Sequence, residues 1–362
     1  MLIDFIVGTR PNFIKLSPII QQLKLKKFKS KIRYRIIHTG QHYDKKLSDV
    51  FFTELGITKP SYIIKSGSGT HSTQTSKIMM GYEKYILKNN KPDLCLVFGD
   101  VNSTLACSLV AKKAFIKLGH IEAGLRSFDN DMPEEINRIV TDSISDIFFT
   151  TSKYANKNLL NSGIKRKKIF FVGNVMIDNL INNLHKFKKP YFWLKYNLKK
   201  QNYILLTLHR PVNVDSIKNL LNILNNISKY FNSYKIIFPT HPRTLKKINF
   251  QKTLPNILFV DPLPYLNFQF LLKHSFCVIT DSGGITEEAT FFKIPCLTIR
   301  TTTERPETVM IGTNRLIKDI KNISKYDSSM INKIRKKSKI PQFWDGQTSK
   351  RILNTILKLF ND

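Results

Sequence analysis

The sequence predicts an α/β protein made of two doubly wound parallel sheets. Short apolar runs rich in β-branched and aromatic residues recur along the chain, and each is followed by a stretch of helical period. The alternation then restarts at Tyr203. Strands that are apolar throughout, rather than alternating, belong in a parallel sheet covered on both faces. The length, 362 residues, suits two medium domains.

The first set of strands is expected at 2–7, 34–39, 94–98, 120–122 and 147–151, with a last one at 170–174. The second set is expected at 203–208, 235–239, 257–260, 276–280 and 296–299. Between them, the Lys-rich segment 178–201 has the character of a connector. This places a first domain at 1–173 and a second at 174–346. After Pro341, Trp344 and Gly346, a periodic run at 349–360 predicts a terminal helix.

Composition excludes several classes. With 42% of residues apolar or aromatic, the chain is neither disordered nor fibrous. Cys95, Cys107, Cys277 and Cys296 lie in apolar contexts without a C-x-x-C pair, which argues for buried thiols in a reducing compartment. The N-terminal run 1–7 carries Asp4 and lacks the long apolar core of a signal peptide. No stretch reaches the ~18 apolar residues of a membrane span. A cytoplasmic protein is the expectation. The net charge of +32 would attract polyanions or phosphorylated small molecules, but its Lys runs are scattered, as on solvated faces.

In doubly wound sheets ligands bind beyond the carboxyl ends of the strands, and polar clusters follow these strands directly. Gly8, Thr9, Arg10 and Pro11 open a helix bearing Lys15, a combination suited to an anion. Thr280, Asp281, Ser282, Gly283 and Gly284 precede Glu287 and Glu288. Free N–H groups at that helix start suit a pyrophosphate, and Glu288 one turn on suits a ribose diol. Capped helices with ordinary acidic first turns would give the same letters.

Proton-transfer groups gather at Gly99-Asp100, at His120-Ile121-Glu122 with Arg126, and at Pro133-Glu134-Glu135 with Arg138. For the last, helix-start electrostatics with Arg138 as ion-pair partner is the simpler reading. His209 with Arg210, and His241 with Arg243, follow two strands of the second set, which favours an anionic ligand there. His120 and Glu122 have H-x-E spacing, yet the P-C-x-x-C partner of zinc deaminases is absent, so no metal site is predicted. Gly67-Ser68-Gly69 lacks the third glycine of a dinucleotide fingerprint.

Taken together, GTRP with Lys15, HTGQHYD at 38–44, HIEAGLRS at 120–127, PEEINR at 133–138, HRP at 209–211, DSGG-x-x-EE at 281–288 and TERPET at 303–308 resemble the non-hydrolysing UDP-N-acetylglucosamine 2-epimerase family. The resemblance implies two Rossmann-like domains of the glycosyltransferase-B type, UDP in the cleft between them, and a terminal helix, 347–362, that returns to the first domain. It implies a homodimer that uses neither nicotinamide nor metal. The implied reaction interconverts UDP-GlcNAc and UDP-ManNAc by anti elimination of UDP to a 2-acetamidoglucal and re-addition, supplying surface polysaccharide. By family position Asp100, Glu122, Glu134, His209 and Lys15 are catalytic. Arg10, His241, Phe268, Ser282, Gly283, Gly284, Glu288 and Arg305 would contact the nucleotide.

Pro211, Val212 and Asn213 stand where better-known bacterial members carry a basic residue and an acid. A regulatory UDP-GlcNAc site is therefore not expected from the motifs. Sister enzymes acting on UDP-diacetamido-uronic acids or UDP-6-deoxy-L-hexosamines share them closely. A glycosyltransferase of the same architecture would need an acceptor site, and a nucleic-acid-binding protein would need a basic groove with interleaved aromatics.

Overall fold

Runs that are apolar on both faces can be buried only inside a layered sheet, and two such sheets form. The computed structural model describes residues 1–41, 56–240 and 254–361. The chain divides into one unit comprising Met1–Asn182 and Gln342–Asp362, and a second comprising Asn183–Pro341.

The first unit carries β1 (Leu2–Val7), β2 (Arg33–His38), β3 (Tyr62–Ile63), β4 (Leu94–Phe98), β5 (Lys117–Ile121), β6 (Ile147–Thr150) and β7 (Ile169–Phe171). They form one parallel sheet in the order β3-β2-β1-β4-β5-β6-β7. Its helices include α1 (Arg10–Leu23), α2 (His71–Lys88), α3 (Asn102–Lys113) and α4 (Pro133–Ile144). Leu16, Ile19 and Ile20 of α1 join Ile3, Phe5 and Val7 of β1 in one core. Ile352, Leu353 and Ile356 of the terminal helix Thr348–Asn361 enter the same cluster. Asp178 receives the backbone N–H of Thr348 (3.1 Å) and Ser349 (2.6 Å), placing a carboxylate at that helix's positive end.

The second unit carries β8 (Tyr203–Thr207), β9 (Lys235–Pro239), β10 (Ile257–Val260), β11 (Cys277–Thr280), β12 (Cys296–Thr298) and β13 (Asn314–Leu316), parallel in the order β10-β9-β8-β11-β12-β13. Helices α5 (Tyr265–His274) and α6 (Gly283–Phe291) flank it. Among the described residues, no helix is long and apolar enough to cross a membrane. All four cysteines are buried and unbridged.

Two short strands, β3 and β13, were not expected from the sequence. Each lies at a sheet edge with two or three residues, too few to show a period. The strand expected at 120–122 begins at Lys117 and ends at Ile121, so Glu122 stands just beyond it.

Candidate active site

Strand order reverses between β1 and β4 in the first unit and between β8 and β11 in the second. Such a switch opens a crevice at the carboxyl ends of the two diverging strands. The loops at these four tips carry Arg10, Asp100, His209 and Ser282.

At the first switch, the Asn12 side chain accepts from the N–H groups of Gly8 and Thr9, both at 3.1 Å. Arg10 opens α1 and is exposed. Lys15, one turn further and 7% exposed, reaches inward to form an ion pair with Glu122, itself 2% exposed. Two buried charges of opposite sign stabilise each other only as a pair. Glu122 has φ of +71°, a conformation costly for a residue with a Cβ and one that clusters at functional sites. Gly99, at φ +64°, makes room for the pair: a Cβ there would stand 2.9 Å from Lys15 Nζ and 3.1 Å from Glu122 Oε2. The acid and the amine therefore lie against the backbone that presents Asp100.

Asp100 is fixed by Arg138 of α4, whose Nε donates to Asp100 Oδ2 at 3.0 Å. The same guanidinium holds Glu135 through Nη1. The two acids at the start of α4 thus part company. Glu135 is buried, ion-paired and bonded by the N–H of Ser127 at 2.9 Å. Glu134 is half-buried and lines a hollow of about 590 Å³ with Gln41, His71, Gln74 and Asn102 among the described residues.

Beneath the tips lies a buried network. The His120 ring sits between Asp142 Oδ1 (2.7 Å from Nδ1) and the Gly99 carbonyl (2.8 Å from Nε2). Asp142 also accepts from Arg126 (2.6 Å) and from the Gly124 N–H (3.1 Å). Burial alone would raise the Asp142 carboxyl, but the charges and hydrogen bonds of His120 and Arg126 hold it below the usual carboxylate range. The His120 side chain, between Asp142 and the Gly99 carbonyl, thereby ties the strand that delivers Glu122 to the loop carrying Asp100.

At the second switch, His209 stands two residues beyond β8, and its exposed ring places Nδ1 2.8 Å from the buried Asp281. Ser282 caps α6, and Gly283 and Gly284 are its first residues, with open space where a Gly284 Cβ would stand. Glu288, on the same helix, is buried and bonded by the Tyr265 hydroxyl at 3.2 Å. Burial pushes its carboxyl up to about 7. Phe268 lies on α5, partly buried against the neighbouring core. Arg305 is buried under the cradle, paired with Glu287 and Glu304, both at 2.7 Å. His241 lies outside the described residues.

Three participants escape a reading of the sequence alone: Asp142, Asp281 as the partner of His209, and Arg138 as the partner of Asp100. The signal for two of them was present on α4. Glu135, Arg138 and Asp142 occupy its buried face, where an amphipathic helix ordinarily puts apolar residues.

Two Rossmann-like parallel sheets with nucleotide-type switch points define an α/β protein of the glycosyltransferase-B type. A family model described as UDP-N-acetylglucosamine 2-epimerase matches residues 24–357. The UDP-N-acetylglucosamine 2-epimerase of Methanocaldococcus jannaschii is 44% identical over 368 residues, spanning 98% of this chain and 99% of that one. The UDP-2,3-diacetamido-2,3-dideoxy-D-glucuronate 2-epimerase of Pseudomonas aeruginosa is 40% identical, spanning 99% and 100%. A crystal structure of the M. jannaschii UDP-GlcNAc 2-epimerase in complex with UDP-GlcNAc and UDP aligns with a TM-score of 0.87 at 43% identity, covering 99% of this chain and 100% of that one. The chain belongs to the UDP-N-acetylglucosamine 2-epimerase family.

Proposed function

We propose that this protein inverts C2 of UDP-N-acetylglucosamine to give UDP-N-acetylmannosamine, by anti elimination of UDP and re-addition to the other face. The observation that carries the reading is the Lys15–Glu122 pair held against Gly99 beside Asp100, a set of proton-transfer groups at one switch point. The 44% identity to an enzyme of that name supports it.

The chemistry sets the demands. The C2 proton of the sugar is not adjacent to a ring carbonyl, so no enolate stabilises its removal. Departure of UDP must drive the step as the C1–O bond breaks and the C1=C2 bond forms. A leaving diphosphate needs preorganised donors and positive charge. Arg10, the α6 start at Ser282, Gly283 and Gly284, and His209 supply these, with His241 and Arg305 assigned to the same ligand. Glu288 takes the ribose and Phe268 the uracil. Asp100, Glu122 and Glu134 share the proton traffic at C2, with Lys15 holding Glu122 in place. The protein works in the cytoplasm as a homodimer, and its product feeds surface polysaccharide.

The test is incubation with UDP-GlcNAc in D2O, followed by NMR. Deuterium at C2 together with a manno product is the expected result. The 40% identity to the P. aeruginosa enzyme supports one other substrate, a UDP-diacetamido-uronic acid. Exchange with that sugar and none with UDP-GlcNAc would replace the first reading with the second.

A further inference from the structure

The His209 ring is largely exposed, at 62%, and an exposed imidazole rotates and exchanges tautomers freely unless something holds it. Asp281 holds it. Its Oδ1 lies 2.8 Å from His209 Nδ1, while the backbone N–H groups of His209 (3.1 Å) and Arg210 (2.9 Å) and the Asn213 amide (3.0 Å) donate to its Oδ2. The backbone and amide groups are all donors, so the carboxylate is surrounded in the way that favours its charge. Burial alone would raise the carboxyl, yet the bonds from His209, Asn213 and Arg210 hold it below the ordinary range.

We infer that Asp281 is the positioning residue of His209, fixing Nδ1 as a permanent donor so that Nε2 alone gains and loses a proton at the ligand. An ionised carboxylate has no proton to give, so Nδ1 must carry the one between them. This holds for the neutral ring and for the cation alike, and the titrating nitrogen is the outward one. Asp281 also directly precedes Ser282, the cap of α6. A single side chain thus ties the proton carrier on the β8 loop to the anion cradle on the β11 loop. The Thr207 and Thr280 hydroxyls, 2.7 Å apart at the facing strand ends, fasten the same two tips.

The use of this arrangement rests on the epimerase reading. As C1–O breaks, its electron pair passes to the β-phosphate oxygen, and Nε2–H of the cationic ring donates to that oxygen; re-addition reverses the shift. With an Asn at 281, the amide can present its own N–H to Nδ1 and favour the opposite tautomer. The expected loss in kcat is on the order of 10²–10⁴-fold, with a much smaller change in KM.

The experiment is ¹⁵N NMR of histidine-labelled full-length protein, with His209→Gln assigning the signal. In the wild type, Nδ1 of the neutral ring should carry the proton; in Asp281→Asn, the proton should move to Nε2. Asn213→Ala, which removes another partner of Asp281, should keep both the tautomer and kcat within a few-fold of wild type. A wild-type ring protonated at Nε2 would overturn the inference, as would an unchanged tautomer in Asp281→Asn or equal kcat losses in the two variants. The wild-type spectrum decides the point even if a variant fails to fold. It needs no substrate, so absent turnover with the expected tautomer would reject the epimerase reading and leave the pairing standing.

Discussion

Replacing Glu288 with Gln gives the second unit a pH-dependent gain in stability. Glu288 is 4% exposed, and burial raises its carboxyl from 4.5 to about 7. Below pH 4.5 the group is protonated whether the chain is folded or not, and it costs nothing. Between 4.5 and about 7 the unfolded carboxyl ionises while the folded one keeps its proton, so stability falls as pH rises. Above about 7 both are ionised and the buried charge costs about 3 kcal/mol, since each tenfold weakening of the acid corresponds to ~1.4 kcal/mol. A Gln side chain is neutral throughout and never incurs this loss. The chain has two tryptophans, Trp193 in the second unit and Trp344 in the first, so Trp344→Phe leaves one reporter for the unit of interest. Urea titrations followed through Trp193 should show the Gln variant little changed at about pH 5 and about 3 kcal/mol more stable at about pH 8.5. A stability difference that is the same at both pH values would refute burial as the cause of the raised carboxyl. If Glu288 holds the ribose, the same variant should also bind UDP more weakly in calorimetry.

Lys15→Met should destabilise the first unit by about 3–5 kcal/mol, read through Trp344 in a Trp193→Phe background, because it strands a buried carboxylate. Adding Glu122→Gln should restore most of that stability and none of the turnover; additive losses would show that the two side chains do not act as a pair. Gly99→Ala should lower stability by more than the ~1 kcal/mol usual for a residue placed at positive φ, since its Cβ also meets Lys15 and Glu122, and it should depress kcat with it. Wild-type kcat in that variant would separate the Gly99 turn from the chemistry.

The strand tips were legible because a doubly wound sheet puts its working residues directly after its apolar runs. Arg10, Asp100, Glu122, His209 and Ser282 all follow such a run within a few positions. Pairings were not legible. Lys15 and Glu122 are 107 residues apart, and His209 and Asp281 lie just beyond strands brought together only by the order of the sheet. Arg138 sits one turn after Glu134 and Glu135, and the fold pairs it with Glu135, as helix spacing allows, and also with the distant Asp100, which no local spacing shows. The Arg305–Glu287 pair likewise joins two segments that lie apart in the sequence. Edge strands of two or three residues carry too little pattern to be read at all.

If Asp100, Glu122 and Glu134 carry the C2 proton, neutralising any one of them must stop exchange at that carbon without emptying the nucleotide site. Deuterium entry at C2 in Asp100→Asn, Glu122→Gln and Glu134→Gln, measured beside calorimetric binding of UDP, separates the two effects. Each variant should bind UDP about as the wild type does while exchange falls on the order of 10²-fold or more. Wild-type exchange in any one of them would remove that carboxylate from the reaction, and wild-type exchange in all three would leave the proposed proton transfer without a carrier.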